Sequence, residues 1–368
     1  MTPPSDHAGA VLTIDLDAIA SNYRQLDERL GKTACAAVVK ADGYGLGIAP
    51  VARALAEAGC ASFFVATIEE GIELRAILPE AEIAVLNGAP AEAVDEVARH
   101  GLIPVLNGPD QIEAWRAYIE RAGASLAILH CDTGMARLGL TQSELEALCA
   151  AGAEGIPFRC VMSHLACADD PAHPLNGEQL ALFQDARARL GRRFGPSPAS
   201  LANSSGIFLG PAYHFDLARP GVALYGVNPT PGQPNPMAEA VQLQGKIIGL
   251  REIDRAMTVG YGATHRVTRG SRIATVAVGY ADGFLRSLSN RAYGYIGTVR
   301  VKMVGRVSMD LTTFDVSALP PEDVRPGTMV TLIGRKHPID ALAAEAGTTG
   351  YEILTSLGRR YERRYVGD

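Results

Sequence analysis

No Cys-X-X-Cys pair occurs in this chain of 368 residues; its six cysteines stand at 35, 60, 131, 149, 160 and 167, all in the first half. At this length that pattern excludes a disulfide scaffold and reads as reduced core thiols. Basic blocks are also missing. Apart from Arg359-Arg360 and Arg363-Arg364, Lys and Arg are scattered, and 34 of them stand against 40 acidic residues for a net charge of -6. A nucleic-acid partner is therefore not expected. No apolar run approaches the length of a membrane span, so no membrane partner is expected either. The N-terminus, Met1-Thr-Pro-Pro-Ser-Asp-His7, lacks the charged start and apolar core of a secretion signal, and the expected compartment is the cytoplasm. The eight histidines are scattered without helix or strand pairing, so no metal is assigned. There is no solenoid repeat and no low-complexity tract.

What is present is organised around Cys35-Ala-Ala-Val-Val-Lys40-Ala-Asp-Gly-Tyr44-Gly-Leu-Gly47. A short apolar run ended by glycine turns reads as a strand buried on both faces. Lys40 stands at its C-terminal mouth. A lysine there either snorkels to solvent or stays beside low-dielectric core, where its pKa falls. A neutral lysine can form a Schiff base or take a proton.

Further along, a strand is expected over 11–16, then a helix over 16–30 that Asp15 can cap. After a helix over 48–58, short apolar runs recur at 63–66, 83–86, 103–106, 126–129, 158–162, 201–203 and 222–225. Helical stretches at 68–78, 91–99, 110–122, 142–151 and 179–190 mostly fill the gaps. With the Lys40 strand this makes eight βα units over about 200 residues, the arithmetic of a closed parallel barrel. A doubly wound sheet usually has fewer strands. The polar residues decide: Lys40, Asp132 with Arg137, His164, Asn203-Ser204-Ser205-Gly206 and Arg219-Pro-Gly221 all fall on or near one barrel face. Prolines 229, 231, 234 and 236 make a linker, and β-type runs at 241–250, 273–279, 295–304, 311–316 and 329–333 follow, with helices at 339–346 and 351–357. The expected class is α/β: an N-terminal (β/α)8 TIM-type barrel over 1–232, and a C-terminal mainly β domain over 233–368 that the N-terminal strand joins.

Tyr44, Ser204, the Gly221-Val222 backbone and Tyr351 are candidate phosphate donors, or else ordinary turn residues. Arg219 could pair with Asp216 or face a ring nitrogen, and His164 is a core histidine or a stacking partner. Tyr261, between two glycines, and Met309, in Gly305-Arg-Val-Ser-Met309-Asp310, lie in turns of the second domain.

Taken together, these residues resemble one family. Val38-Val39-Lys40-Ala41-Asp42-Gly43-Tyr44-Gly45 is similar to the cofactor-lysine signature of the alanine racemases. Matches continue in order through Asp132-Thr-Gly-Met-Ala-Arg137-Leu-Gly, Ser163-His164, Asn203-Ser204, Arg219-Pro-Gly221, Gly260-Tyr261-Gly262-Ala, Gly279-Tyr-Ala-Asp-Gly283, Gly305-Arg-Val-Ser-Met309-Asp310 and Tyr351-Glu352. So many matches, in both halves, are far more specific than any one of them. The resemblance implies a pyridoxal 5'-phosphate enzyme that interconverts L-alanine and D-alanine, supplies D-alanine for peptidoglycan, and works as a homodimer with shared sites. Lys40 would carry the cofactor, and Tyr44, Ser204, Gly221, Val222 and Tyr351 would hold its phosphate, with Asn203 beside them. Arg219 would face the pyridine nitrogen and His164 would lie behind the ring. Arg137 and the Met309 backbone would meet the substrate carboxylate. Tyr261 of the partner subunit would be the second base, and Tyr280 and Tyr351 would narrow the entrance.

Two positions depart from the family pattern. His130 stands where some members carry a lysine that becomes carbamylated and props the arginine, so Arg137 needs another prop. Ser308 stands where cysteine often precedes the methionine. Competing readings are single-domain pyridoxal-phosphate carriers, opposed by the second half of the chain, and barrel-type decarboxylases, opposed by Arg219. A racemase of serine or of broad specificity remains the alternative, since one methylene or hydroxyl shifts binding by only about 1–3 kcal/mol.

Overall fold

A computed structural model describes residues 7–151 and 155–367. Residues 1–6 of the N-terminal stretch discussed above lie outside them. Asp15 caps the first helix, Leu16–Leu30: its Oδ1 accepts the Ala18 N–H at 2.8 Å. Ile19, Tyr23 and Leu26, at helical spacing, are the buried face.

Seven short strands then run parallel, each paired to the next: Ala37–Val38, Ser62–Val65, Glu82–Val85, Ile103–Leu106, Ala127–His130, Phe158–Met162 and Ala199–Ser200. The first six fall where the apolar runs predict them. The eighth does not. Residues 222–225 form a 3-10 turn, Val222–Tyr225, and the eighth strand is Leu217–Ala218. That strand pairs in parallel with Ala34–Cys35, just ahead of the first barrel strand. On its other side the Asp216 and Arg219 N–H groups donate to Ala199 O and Ala202 O at 3.0 and 2.9 Å, so the ring closes. Pro220 explains the shift. It has no N–H to extend the ladder, and Gly221 (φ −123°, ψ −87°) then turns the chain inward.

The second sheet has eight strands, in the order Arg272–Val276, Thr312–Asp315, Val299–Met303, Tyr293–Ile296, Met329–Ile333, Val241–Glu252, Ala10–Asp15 and Glu362–Val366. Arg272–Val276 also pairs with Val241–Glu252, so the first six close on themselves. The 295–304 run is two strands rather than one, folded back at Gly297 (φ +58°). The first strand of the chain indeed joins this sheet. It runs antiparallel to Val241–Glu252 with Leu12 opposite Leu243, and parallel to Glu362–Val366 with Leu12 opposite Arg363. Late helices cover Ile339–Ala346 and Gly350–Ser356, close to the expected ranges. Among the described residues no helix is long and apolar enough to cross a membrane.

Candidate active site

A cavity of about 690 Å³ opens at the C-terminal mouth of the barrel strands. It lies within the size range of small-molecule sites. Lys40, Tyr44, Arg137, His164, Arg219 and Tyr351 are among its lining residues. Asn203, Ser204, Gly221 and Val222 also border it, so the candidate residues from six separate stretches converge. Tyr261 and Met309 do not line it; they are 72% and 54% exposed on the second domain. Their turns pack together, because a Cβ on Gly260 would lie 3.5 Å from the Arg306 backbone nitrogen, and one on Gly262 would lie 3.1 Å from the Arg306 guanidinium.

The lysine is delivered by an unusual turn. Ala41, Asp42, Gly43 and Tyr44 all take φ between +55° and +61°. A left-handed conformation costs roughly 1–2 kcal/mol for each residue with a Cβ. Glu70 holds the start of the turn: its Oε1 accepts the Ala41 N–H at 2.6 Å and its Oε2 the Ala66 N–H at 2.8 Å. Burial, then the Arg137 guanidinium, lowers the Lys40 pKa, against an opposing pull from Glu70. The amine thus moves toward the neutral form that nucleophilic chemistry needs.

Arg219 is almost completely buried and, among the described residues, has no carboxylate against it. It donates to the Ser200 hydroxyl and, at 2.6 Å, to Ser163 O. The Ser200 hydroxyl donates onward to Leu217 O at 2.6 Å, leaving its lone pairs for the guanidinium. Burial pushes the Arg219 pKa down to about 10, so it remains a cation at neutral pH. Its Nη2 lies 3.5 Å from His164 Nδ1. Burial first, then Arg219 and Arg137, pushes His164 well below its usual pKa, and its ring is neutral.

His130 lines the same cavity. Its Nδ1 lies 2.7 Å from Asn107 Oδ1. Both hydrogens of the Asn107 amide are spent on Leu86 O and Val105 O, each at 2.9 Å. The amide oxygen must therefore face His130, and Nδ1 must carry the proton. Burial, then Arg219, pushes His130 down to about 4. Nε2 is left as a neutral acceptor.

Elsewhere in the lining, the Ser204 hydroxyl accepts the N–H groups of Gly221 and Ala223 at 2.9 and 3.2 Å. A Cβ on Gly221 would come within 2.3 Å of the Tyr44 hydroxyl, so only glycine lets the backbone approach it. Tyr44 stacks on Tyr225 at 4.6 Å between ring centroids and lies 6.2 Å from the Tyr351 ring. Asn203 is occupied with structure: its Oδ1 accepts the Gly206 N–H at 2.9 Å.

Three cationic side chains, Lys40, Arg137 and Arg219, face this space against one carboxylate, Glu352, among the described lining residues. Such a wall suits an anion. Together with the Tyr44–Ser204–Gly221 corner and a lysine whose pKa is lowered, it fits a phosphorylated aldehyde. Ser200, Glu70 and Asn107 escaped the sequence reading. Glu70 belongs to a Thr67–Glu70 capping box, a local signal for a helix start only, and the bonds by which these residues shape the site run to partners distant in the chain.

Known proteins resemble the chain over nearly its whole length. Residues 14–229 match the family model described as alanine racemase, N-terminal domain, and residues 240–365 match alanine racemase, C-terminal domain. The alanine racemase of Rhodospirillum rubrum is 57% identical over 367 residues, covering 98% of this chain and 97% of that protein. A protein of Mesorhizobium japonicum described as alanine racemase, catabolic, is 51% identical over 98% of this chain and 94% of its own length. Among solved structures, alanine racemase from Bartonella henselae with covalently bound pyridoxal phosphate superposes with a TM-score of 0.93 at 41% identity, covering 98% of this chain and all of that one. The chain belongs to the alanine racemase family.

Proposed function

We propose that this enzyme interconverts L-alanine and D-alanine with pyridoxal 5'-phosphate, in a site shared between two subunits. The observation that carries the reading is the cation-lined cavity with Lys40, its pKa lowered, at the mouth. When bound, pyridoxal 5'-phosphate draws electrons from the substrate Cα and acidifies its C–H bond. Lys40 holds the cofactor. Tyr44, Ser204, the backbone at Gly221 and Val222, and Tyr351 hold its phosphate, with Asn203 bracing that corner. His164 lies against the ring, and Arg219 faces the pyridine nitrogen. An arginine keeps its proton at working pH, so it donates a hydrogen bond there without protonating the ring.

Racemisation removes the Cα proton from one face and returns one to the other, so two bases are needed. Lys40 Nζ serves D-alanine. The exposure of Tyr261 and its absence from the lining of its own chain's cavity support a second role, as the base for L-alanine in the other subunit of a homodimer. Met309, on the adjoining turn, enters with it and offers its backbone N–H to the substrate carboxylate, which Arg137 also meets. We divide the chain accordingly into a cofactor-binding barrel, 1–232, and a β domain, 233–368, that takes in the N-terminal strand. D-Alanine made here serves peptidoglycan. The free thiols, Cys35 among them, support a reducing compartment, the cytoplasm.

The test is a panel of L-amino acids offered to the purified, cofactor-loaded protein with chiral detection. D-Alanine should form fastest. A loaded protein that forms none, or that favours serine, overturns the assignment.

A further inference from the structure

The left-handed turn after Lys40 is also held from the far end of the chain. Asp42 Oδ1 ties the turn to the next helix by accepting the Ile48 N–H at 2.8 Å. The exit is held by the last strand, Glu362–Val366. Arg363 Nη1 donates to Gly45 O at 2.7 Å, and the Tyr365 hydroxyl donates to Leu46 O at 2.9 Å. The other arm of Arg363 donates to Leu357 O and Gly358 O at 3.3 and 3.5 Å, so the guanidinium bridges two backbone segments. The approach is close: a Cβ on Gly45 would lie 2.5 Å from Leu354 O, and one on Gly47 would lie 2.4 Å from the Tyr365 hydroxyl. Arg363 and Tyr365 alternate along their strand and so share a face. That strand is registered on Ala10–Asp15, with Leu12 opposite Arg363 and Ile14 opposite Tyr365.

We propose that Arg363 and Tyr365 are positioning residues that clamp the turn joining Lys40 to Tyr44 and thereby set the affinity for pyridoxal 5'-phosphate. This rests on the cofactor reading above. Neither residue lines the cavity; both act through the Gly45 and Leu46 carbonyls. Three non-glycine residues in the turn hold positive φ. Such backbone persists only where its surroundings over-determine it. With the two carbonyls released, the turn relaxes, and the Lys40 amine and Tyr44 hydroxyl leave their places together.

The experiment titrates full-length apo-protein with pyridoxal 5'-phosphate, following absorbance, alongside thermal unfolding of the same apo-protein. Tyr365→Phe keeps the ring and deletes one donor, and it should weaken cofactor binding by roughly fivefold to tenfold, a typical worth for one hydrogen bond. Arg363→Met should weaken it more, and Arg363→Lys should restore part of the loss. The apo-protein midpoint of Tyr365→Phe should stay near wild type. Variants that bind the cofactor like wild type overturn the inference alone, whether or not they are less stable, because a purely structural contact would lower the midpoint without changing the affinity of the folded fraction. Failure of the wild-type protein to bind overturns the cofactor reading and the clamp with it.

Discussion

His130 donates its Nδ1–H to Asn107 Oδ1 at 2.7 Å, and that bond dictates which imidazole nitrogen is bare. The Asn107 amide cannot flip, since its two hydrogens are committed to Leu86 O and Val105 O. The cavity, which Arg137 also lines, therefore meets a neutral acceptor there.

The depressed His130 pKa has a thermodynamic consequence. Unfolded, the ring titrates near 6.5; folded, near 4. Between these values the unfolded chain binds the proton and the folded chain does not, so stability is lost as pH falls from about 6.5 to 4, by about 3 kcal/mol for this group. His164, also pushed down, adds in the same direction. Apparent melting temperatures of wild type and His130→Gln should converge as pH drops through this window. Parallel curves would show that His130 is not buried neutral.

Tyr261→Phe should separate the two directions of exchange. In deuterated water, loss of the Cα proton should slow far more for L-alanine than for D-alanine, by roughly 10²–10⁴-fold, the usual worth of a positioned base. Equal losses in both directions would remove Tyr261 from its role.

Arg219→Glu exchanges a fixed cation for a carboxylate beside the Ser163 carbonyl. A carboxylate can keep the pyridine nitrogen protonated and strengthen the electron sink. Racemisation should slow, and a new absorption band should grow at longer wavelength during turnover with alanine. An unchanged spectrum in a folded, loaded variant would count against the pyridine contact.

Gly221→Ala drives a methyl group toward the Tyr44 hydroxyl, 2.3 Å from the ideal Cβ position. The cofactor should bind more weakly by at least about tenfold, equal to 1.4 kcal/mol. Adding Tyr44→Phe should recover little, because the ring carbon carrying the hydroxyl lies only 3.0 Å from the same position. Titration of both apo-proteins with pyridoxal 5'-phosphate decides it: full recovery in the double variant would confine the clash to the hydroxyl.

Six barrel strands, the Asp15 cap and the Lys40 loop were legible because they depend on neighbours within a few residues. Strand eight was not. Residues 222–225 are the more apolar run, but a proline directly upstream denies them a ladder, and Leu217–Ala218 takes the place beside Ala34–Cys35. The 295–304 run misled for the opposite reason: one glycine at positive φ folds it into a hairpin.

By itself the chain determined which short segments become strands and helices, and it placed lysine, arginine and histidine at strand ends, since periodicity and turn residues act locally. Only the tertiary structure decided how far-apart groups meet. It set Asn107 against His130, seated Arg219 on Ser200, and brought Arg363 to Gly45 across 318 residues of chain. Those contacts rest on barrel closure and on the register of the first and last strands, which no local pattern encodes.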